Sequence, residues 1–409
     1  MNRVFQFIML LLMATIFSCS NEDNTNNTSE SCDEEIKTIF SDAEKQLRFG
    51  VHCVDSASQT EENIAKKNVI PVSLNTDEEA KLVMGPSTEW RSGFFPGSCW
   101  IMYEITGDDF WKENASQFTW KIADAATRSQ HDLGFMFNCS FGLAYELTRD
   151  NAFKEVFLEA AKTLSGRFNE TVGCVQSWGA TSYWDFPVII DAMMNMELLF
   201  KATEMTGDST YWKRAVSHAD KTMQNHFRTD YSSYHVVSYF KNTGEVQCRQ
   251  TAQGYSDESF WSRGQSWGLY GFTMCYRYTR DKRYLDHACH IADFLLGLDY
   301  GDDYIPYWDM ASPDIPNTSK DTSAGAIMAS ALLELCNFVN EEKSKVYKTF
   351  ATKQIKSLYN LYSCTYGSNF GFIINNSVGS YPTNYQINVP AVYTDYYYLE
   401  ALYRLKTAK

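Results

Sequence analysis

Three short stretches hold residue types that could do chemistry. In "RSQHDLG", from Arg128 to Gly134, Asp132 stands between His131 and the apolar run "LGFMFNCSFGLAYEL". An Asp in that position is either a helix N-cap or an acid presented at a helix mouth. In "FPVIIDAMMNMELLF", Asp191 is a lone carboxylate among apolar residues. Burial there raises a carboxyl pKa, as a general acid requires; the alternative is a core Asp bonded to a neighbouring Tyr or Trp. In "WSRGQSW", from Trp261 to Trp267, Arg263 and Trp267 are spaced to share one helix face. A guanidinium beside an indole suits a carboxylated sugar, the fork gripping the acid in two places and the indole stacking on the ring. The alternative is a surface cation packed on aromatics.

Further candidates are Trp90 and Arg91, His131, Trp178 and Trp184, His235 and Gln253. Most of them fall at junctions between elements, where side chains at helix starts would point into one mouth of a barrel. The 10 Trp, 26 Tyr and 26 Phe favour a carbohydrate ligand, although many of these fill the core.

The elements that must position these residues are mainly helical. Apolar residues recur at three and four spacing, as in Ile189, Met193, Met196 and Phe200, and strand signals are sparse. Four junctions are alike: "TGDDFW" at Thr106, "TRDNAF" at Thr148, "TGDSTYW" at Thr206 and "TRDKRYL" at Thr279. Each closes an apolar helix and offers an Asp to cap the next, which makes them turns of helical hairpins. The pattern predicts helices over 34–53, 93–105, 109–128, 133–148, 151–168, 185–206, 209–227, 258–279, 281–298, 321–340, 342–363 and 390–407. Long helices rich in Gly, Cys and aromatics alternate with more charged ones, as an inner ring wrapped by an outer ring would. The expected fold is all-α, an (α/α)6 barrel of about twelve helices in six helical hairpins, with a superhelix of helical repeats as the alternative. Irregular spacing of the junctions favours the barrel. Asp191 then falls within an inner helix, and "SSYHVVSYFKNTGEVQ" from Ser232 reads as a β-hairpin turned at Asn242 and Gly244.

At this point the order "SGFFPG", "HDLGF", "VIIDAMMN", "SSYH", "QGYSDESFWSRGQSWGLYG" and "VPAVYTDYYYLEAL" resembles the unsaturated glucuronyl hydrolases, glycoside hydrolase family 88. The likeness runs from about Trp90 to Leu402. It implies an (α/α)6 barrel that removes the 4,5-unsaturated uronic acid left by lyases on glycosaminoglycan oligosaccharides of chondroitin, hyaluronan or heparin/heparan type. In the family a single Asp protonates C4 of the vinyl ether and takes a proton from the water that adds at C5. By the same matching Asp191 is the general acid and base and Asp132 the second required carboxylate. Arg263, Trp267, His235, Gln253, Trp90, Trp178 and His131 then surround the substrate, and no metal or cofactor is implied. Asp132 at a helix entrance is expected to bond the first backbone amides with one oxygen while the other faces the substrate. Rival readings are an unsaturated rhamnogalacturonyl hydrolase acting on pectin fragments, a noncatalytic surface glycan-binding lipoprotein, and an ordinary inverting hydrolase with two carboxylates spaced around a water.

The ends and the charge bound the rest. Residues 1–18 have a short basic start and an apolar stretch from Phe5 to Phe17, the pattern of an export signal. Cleavage before Cys19 fits a lipidated bacterial lipoprotein, with 19–33 a flexible tether, 34–409 a single catalytic domain, and the periplasm or outer membrane as location. A net charge of −14 argues against a broad nucleic-acid surface. Of the 11 cysteines, Cys99, Cys139, Cys275, Cys289 and Cys336 sit in apolar helical patterns and read as buried thiols. The His287 and His290 pair alone makes no zinc site.

Overall fold

The computed structural model describes residues 22–75 and 79–407. The chain forms two compact units, Met1–Glu44 and Lys45–Lys409. Within the first, the described residues belong to α1 (Glu22–Ser58). The described part of the expected tether, from Glu22 to residue 33, falls within α1. The expected signal segment and Cys19 lie outside the described residues.

The second unit continues with α2 (Glu61–Lys66) and an antiparallel hairpin of β1 (Asn68–Leu74) and β2 (Leu82–Pro86). Then come α3 (Phe94–Thr106) and α4 (Asp109–Trp120), α5 (Leu133–Phe137), α6 (Leu143–Thr148) and α7 (Asn151–Ser165). The short pair β3 (Phe168–Asn169) and β4 (Cys174–Val175) leads to β5 (Phe186–Ile189), followed by α8 (Met196–Thr206) and α9 (Ser209–Asn225). After β6 (Val236–Tyr239) and β7 (Val246–Gln250) come α10 (Ser262–Thr279), α11 (Lys282–Leu296), α12 (Thr322–Leu335) and α13 (Glu341–Tyr362). The hairpin of β8 (Ser377–Ser380) and β9 (Tyr385–Val389) precedes α14 (Val392–Thr407).

Six inner segments close a ring. α14 packs on α3, the π-helical turn Asn138–Gly142 between α5 and α6 packs on α3, α5 on α8, the 3-10 turn before α8 on α10, α10 on α12, and α12 on α14. Outside them α4 lies on α3, α7 on α5, α9 on α8, α11 on α10 and α13 on α12, five of the six outer positions of an (α/α)6 barrel. Every residue of α12 is buried, and its Ala, Gly and Ser side chains let neighbouring backbones approach; α9 buries only Ala215, His218, Ala219 and Thr222.

The four repeated junctions share one geometry. Each Thr hydroxyl donates back to the carbonyl four residues earlier, as Thr148 does to Ala144 at 2.6 Å, and accepts from the Asp backbone N–H two residues on. The residue between them takes a left-handed conformation, at φ 69° for Gly107, 59° for Arg149, 76° for Gly207 and 57° for Arg280. Asp108, Asp150, Asp208 and Asp281 then each cap the following helix through a backbone N–H.

Three expected helices are revised. The segment 185–206 is β5, a 3-10 turn over Ile190–Asn195, and only then α8. Pro187 lacks an N–H, and the β-branched Val188 and Ile189 favour the strand pairing with β6. The segment 133–148 is broken by its π turn, and 109–128 ends its α-helix at Trp120. The hairpin around Gly244 forms as expected, with φ 72° there, and β5 joins it to give the order β5-β6-β7. The expected buried thiols Cys99, Cys139, Cys275 and Cys336 are free and buried, and Cys289 is free and half-buried.

Candidate active site

The N-terminal ends of the inner helices meet around a cavity of about 280 Å³. Trp90 and Arg91 come from the residues before α3, His131 and Asp132 from those before α5, and Asp191 from the turn that ends β5. Trp178 and Gln253 enter from loops, Arg263 from the first turn of α10, Tyr393 from α14, and Gly379, Ser380 and Tyr385 from the β8–β9 hairpin.

Asp191 is 8% exposed, and its Oδ2 is buried without a hydrogen-bond partner. Burial is the main cause that pushes its pKa up to about 7; the nearby Asp132 charge adds to the rise and Arg263 opposes it. A carboxyl in this state is about half protonated at neutral pH and can give the proton away. Asp191 thus sits in the 3-10 turn that follows β5, not in a helix interior, and lines the cavity.

His235 lies behind it. Its Nδ1 accepts from the backbone N–H groups of Ala252 at 3.0 Å and Gln253 at 3.2 Å, so the ring proton sits on Nε2, which is 3.7 Å from Asp191 Oδ2. Burial lowers its pKa to about 3, so it stays neutral. His235 therefore faces Asp191 and does not line the cavity.

Asp132 does not cap α5. It has φ −94° and ψ 20° and makes no side-chain bond to the first amides. Its Oδ1 accepts from Asn195 Nδ2 at 3.2 Å, and its Oδ2 lies 3.1 Å from His131 Nε2. Asn195 completes the tie with its other amide atom, accepting from the Phe135 backbone N–H at 3.0 Å. This close approach needs Gly134, where a Cβ would sit 2.3 Å from the Asn195 Cα. The expectation of a capping oxygen is corrected: the side chain turns away from the helix because Asn195 and His131 hold both oxygens.

Arg263 is in place, but its fork is already occupied. Nη1 donates to Asp321 at 2.9 Å and to the Val378 carbonyl, and Nη2 donates to Gly379 O at 2.7 Å and Gln253 Oε1 at 3.1 Å. All four terminal hydrogens are thus used within the protein. The expected two-point grip on a substrate acid gives way to a clamp on the β8–β9 hairpin, from which Arg263 supplies positive charge. The aromatic face beside it is Trp261, with the guanidinium carbon 4.5 Å from the ring centroid, rather than Trp267. Trp267 is 1% exposed, packs on Phe135 at 5.0 Å and Tyr397 at 5.2 Å, and belongs to the core below the site. Arg263 lies in the first turn of α10 and leaves the helix end, so the shared face expected from their spacing is not realised.

Trp90 stacks on Tyr393 at 5.4 Å, forming one aromatic wall; Trp178, whose Nε1 is buried and unpartnered, forms another with Trp184 at 5.3 Å. Trp184 is held away by Gln250, 2.7 Å from its Nε1. Residues absent from the sequence reading are Asn195, Asp321 and Tyr393. Asn195 follows Asp191 by one helical turn in "IDAMMN", which is the signal that could have found it.

A neutral buried carboxyl beside a second carboxylate, in an aromatic cleft at one mouth of an (α/α)6 barrel, is an acid-base site of a glycoside-processing enzyme. The family model described as Glycosyl Hydrolase Family 88 matches residues 64–403. A protein of Formosa agariphila named unsaturated glucuronyl hydrolase is 44% identical, over 98% of each chain. An unsaturated chondroitin disaccharide hydrolase of Streptococcus pneumoniae is 33% identical over 78% of this chain and 82% of its own. A crystal structure of an unsaturated glucuronyl hydrolase specific for heparin superposes with a TM-score of 0.82 at 40% identity, covering 89% of this chain and 97% of that one. The chain belongs to glycosyl hydrolase family 88 and is a glycoside hydrolase.

Proposed function

We propose that this enzyme removes the 4,5-unsaturated uronic acid from the non-reducing end of lyase-generated glycosaminoglycan oligosaccharides by hydrating its vinyl ether. The observation that carries the reading is Asp191, a cavity-lining carboxyl with a pKa pushed up to about 7 and an unpartnered Oδ2. A vinyl ether is protonated at carbon, which calls for an acid that keeps part of its proton at neutral pH and has an oxygen free to deliver it.

Asp191 gives its proton to C4, and positive charge develops at C5 and the ring oxygen. Water adds at C5 and returns a proton to the Asp191 carboxylate, and the resulting hemiketal opens to release the sugar beneath. His235 Nε2–H stands beside Oδ2 to receive the carboxylate formed between the two steps. Asp132, fixed by Asn195 and His131, supplies negative charge opposite the developing cation. Trp90 and Trp178 enclose the ring. Heparin-type disaccharides come first among the candidate substrates, since the compared enzyme at 40% identity is the heparin-specific one, and chondroitin-type disaccharides follow.

The test follows the near-ultraviolet absorbance of the conjugated double bond together with release of reducing sugar. We expect both to change in step, and the disaccharide saturated at C4 and C5 to be inert. Cleavage of the saturated compound at a similar rate would mean ordinary glycosidic hydrolysis. Unsaturated pectin fragments used faster than any glycosaminoglycan disaccharide would favour the rhamnogalacturonyl reading. We also propose export with lipidation at Cys19; a Cys19→Ala protein that still partitions with membranes would contradict it.

A further inference from the structure

One guanidinium beside the site holds no acid. Arg167 follows α7 and is half-buried, yet it makes no ion pair with any described residue. Its N–H groups go instead to neutral oxygens on two other segments. Nε donates to the Gln176 carbonyl at 2.9 Å, Nη2 to the Ser177 carbonyl, and Nη1 to Ser129 Oγ at 2.9 Å. The backbone closes the same tie, with the Gln176 N–H donating to the Arg167 carbonyl at 3.1 Å. A planar fork serves several acceptors in fixed directions, which a point-like ammonium does not.

Each acceptor belongs to a part of the site. Ser129 lies in the segment that leads into His131 and Asp132. Ser177 precedes Trp178 and is bonded to β5. Its N–H donates to the Pro187 carbonyl at 3.0 Å, and its Oγ accepts from the Ile189 N–H at 3.0 Å, just before Asp191. Arg167 thus joins the segments that carry Asp132, Trp178 and Asp191 without lining the cavity itself. Where two of these segments meet, the His131 ring stands edge-on to Trp178 with centroids 6.2 Å apart.

The same guanidinium bears on charge. Burial lowers its pKa, and the Asp132 carboxylate opposes that fall. The attraction is mutual, so Arg167 favours the charged carboxylate that faces the developing cation. The other titratable groups facing Asp132 are His131, with Nε2 3.1 Å away, and Asp191. Of these three neighbours only Arg167 carries a permanent positive charge.

We infer that Arg167 is a positioning residue for the hydration step, fixing the Asp132 and Trp178 segments against Asp191 and setting its positive charge against that of Asp132. This rests on the functional reading above.

The experiment measures kcat and KM against pH for wild type, Arg167→Gln, Arg167→Lys and Ser129→Ala on an unsaturated disaccharide, with Tm taken on each sample. In Arg167→Gln we expect kcat to fall by about tenfold or more while KM stays within a few fold of wild type, as loss of alignment does. The acidic limb of its kcat profile should also move up by about half a unit or more, because the charge opposite Asp132 is gone. Arg167→Lys should return that limb to the wild-type position and recover only part of kcat, since one ammonium does not hold the Ser129, Gln176 and Ser177 oxygens together. Ser129→Ala keeps the charge and loses one tie, so kcat should fall a few fold with the limb unmoved. If Arg167→Gln does not fold, wild-type kcat in both Arg167→Lys and Ser129→Ala would overturn the inference. A lowered Tm in Arg167→Gln with wild-type kcat and an unmoved acidic limb would make Arg167 only a structural brace and overturn it too. Wild type inactive on unsaturated disaccharides would overturn the functional reading and the inference together, whereas an active wild type beside unaffected variants overturns the inference alone.

Discussion

At the scale of single residues, the site is set by how two carboxyls are held in different surroundings. Asp191 has no partner on Oδ2, whereas Asp132 has one on each oxygen. Because the Asp132 charge helps raise the Asp191 pKa, removing it should lower that pKa. The proposed mechanism needs protonated Asp191, so we expect the rate to fall as pH rises through about 7 in the wild type. We expect the residual activity of Asp132→Asn to fall away at lower pH; a pH–rate profile with an unmoved alkaline limb would separate the two groups electrostatically. Arg263 makes the opposite kind of contribution. It neutralises Asp321, which has no exposed surface, so Arg263→Ala leaves a buried charge unpaired. We expect a stability loss of about 3–5 kcal/mol in denaturant titration, alongside a raised KM. Both carboxyls and the arginine were readable in the sequence from residue type and neighbours. Their partners were not: Asn195 lies on a different element from Asp132, and Asp321 is joined to Arg263 only by the closing of the barrel.

At the scale of elements, the site depends on interruptions of helices. The periodic apolar pattern around Asp191 reads as a helix, yet Pro187 and the branched residues after it prefer to pair with β6, and the chain turns at the acid. Local periodicity could not show this, because β6 is supplied by residues far along the chain. The repeated Thr–Gly or Arg–Asp junctions were legible because every contact in them is local. Asp150→Ala should accordingly cost only about 1 kcal/mol, leaving kcat unaltered. Gly134→Ala is a different matter, since its Cβ would strike the Asn195 backbone and drive the two carboxylate-bearing segments apart. We expect it to lose about 1–3 kcal/mol of stability, as overpacking does, and to lower kcat at least tenfold. A Gly134→Ala enzyme with normal kcat would show that the spacing of Asp132 and Asp191 is not critical.

At the scale of the whole molecule, ring closure was foreseeable from helix number and from the contrast between small-residue and charged helices. The length and order of the strands among them were not. Folding also buries titratable groups, and stability should follow pH in a definite direction. His218, His226, His235 and His287 are held neutral chiefly by burial, with pKa values lowered to about 3 or 4. Their folded values lie below the unfolded one, so their contribution is complete above about pH 6.5 and is lost as pH falls toward 4. Asp191 and Asp395, both raised to about 7 mainly by burial, act the other way: their contribution is complete below about pH 4 and is lost as pH rises through 7. Four histidines outweigh two carboxyls between pH 4 and 6.5. We therefore expect Tm to climb over that interval and then turn down slightly toward pH 7, with a steeper climb in Asp191→Asn. A Tm that is flat or falling from pH 4.5 to 6.5 would contradict this balance. In the proposed mechanism the alkaline limit of activity is set by loss of the Asp191 proton.

The most direct measurement is kcat and KM of Asp191→Asn on an unsaturated disaccharide, read by loss of the double-bond absorbance, with Tm taken on the same sample. Asn fills the same space but has no carboxyl proton to give to C4. With the fold intact we expect kcat to drop by about 10²–10⁴-fold while KM stays within a few fold of wild type. Retention of full kcat by Asp191→Asn would remove it as the proton donor and contradict the mechanism.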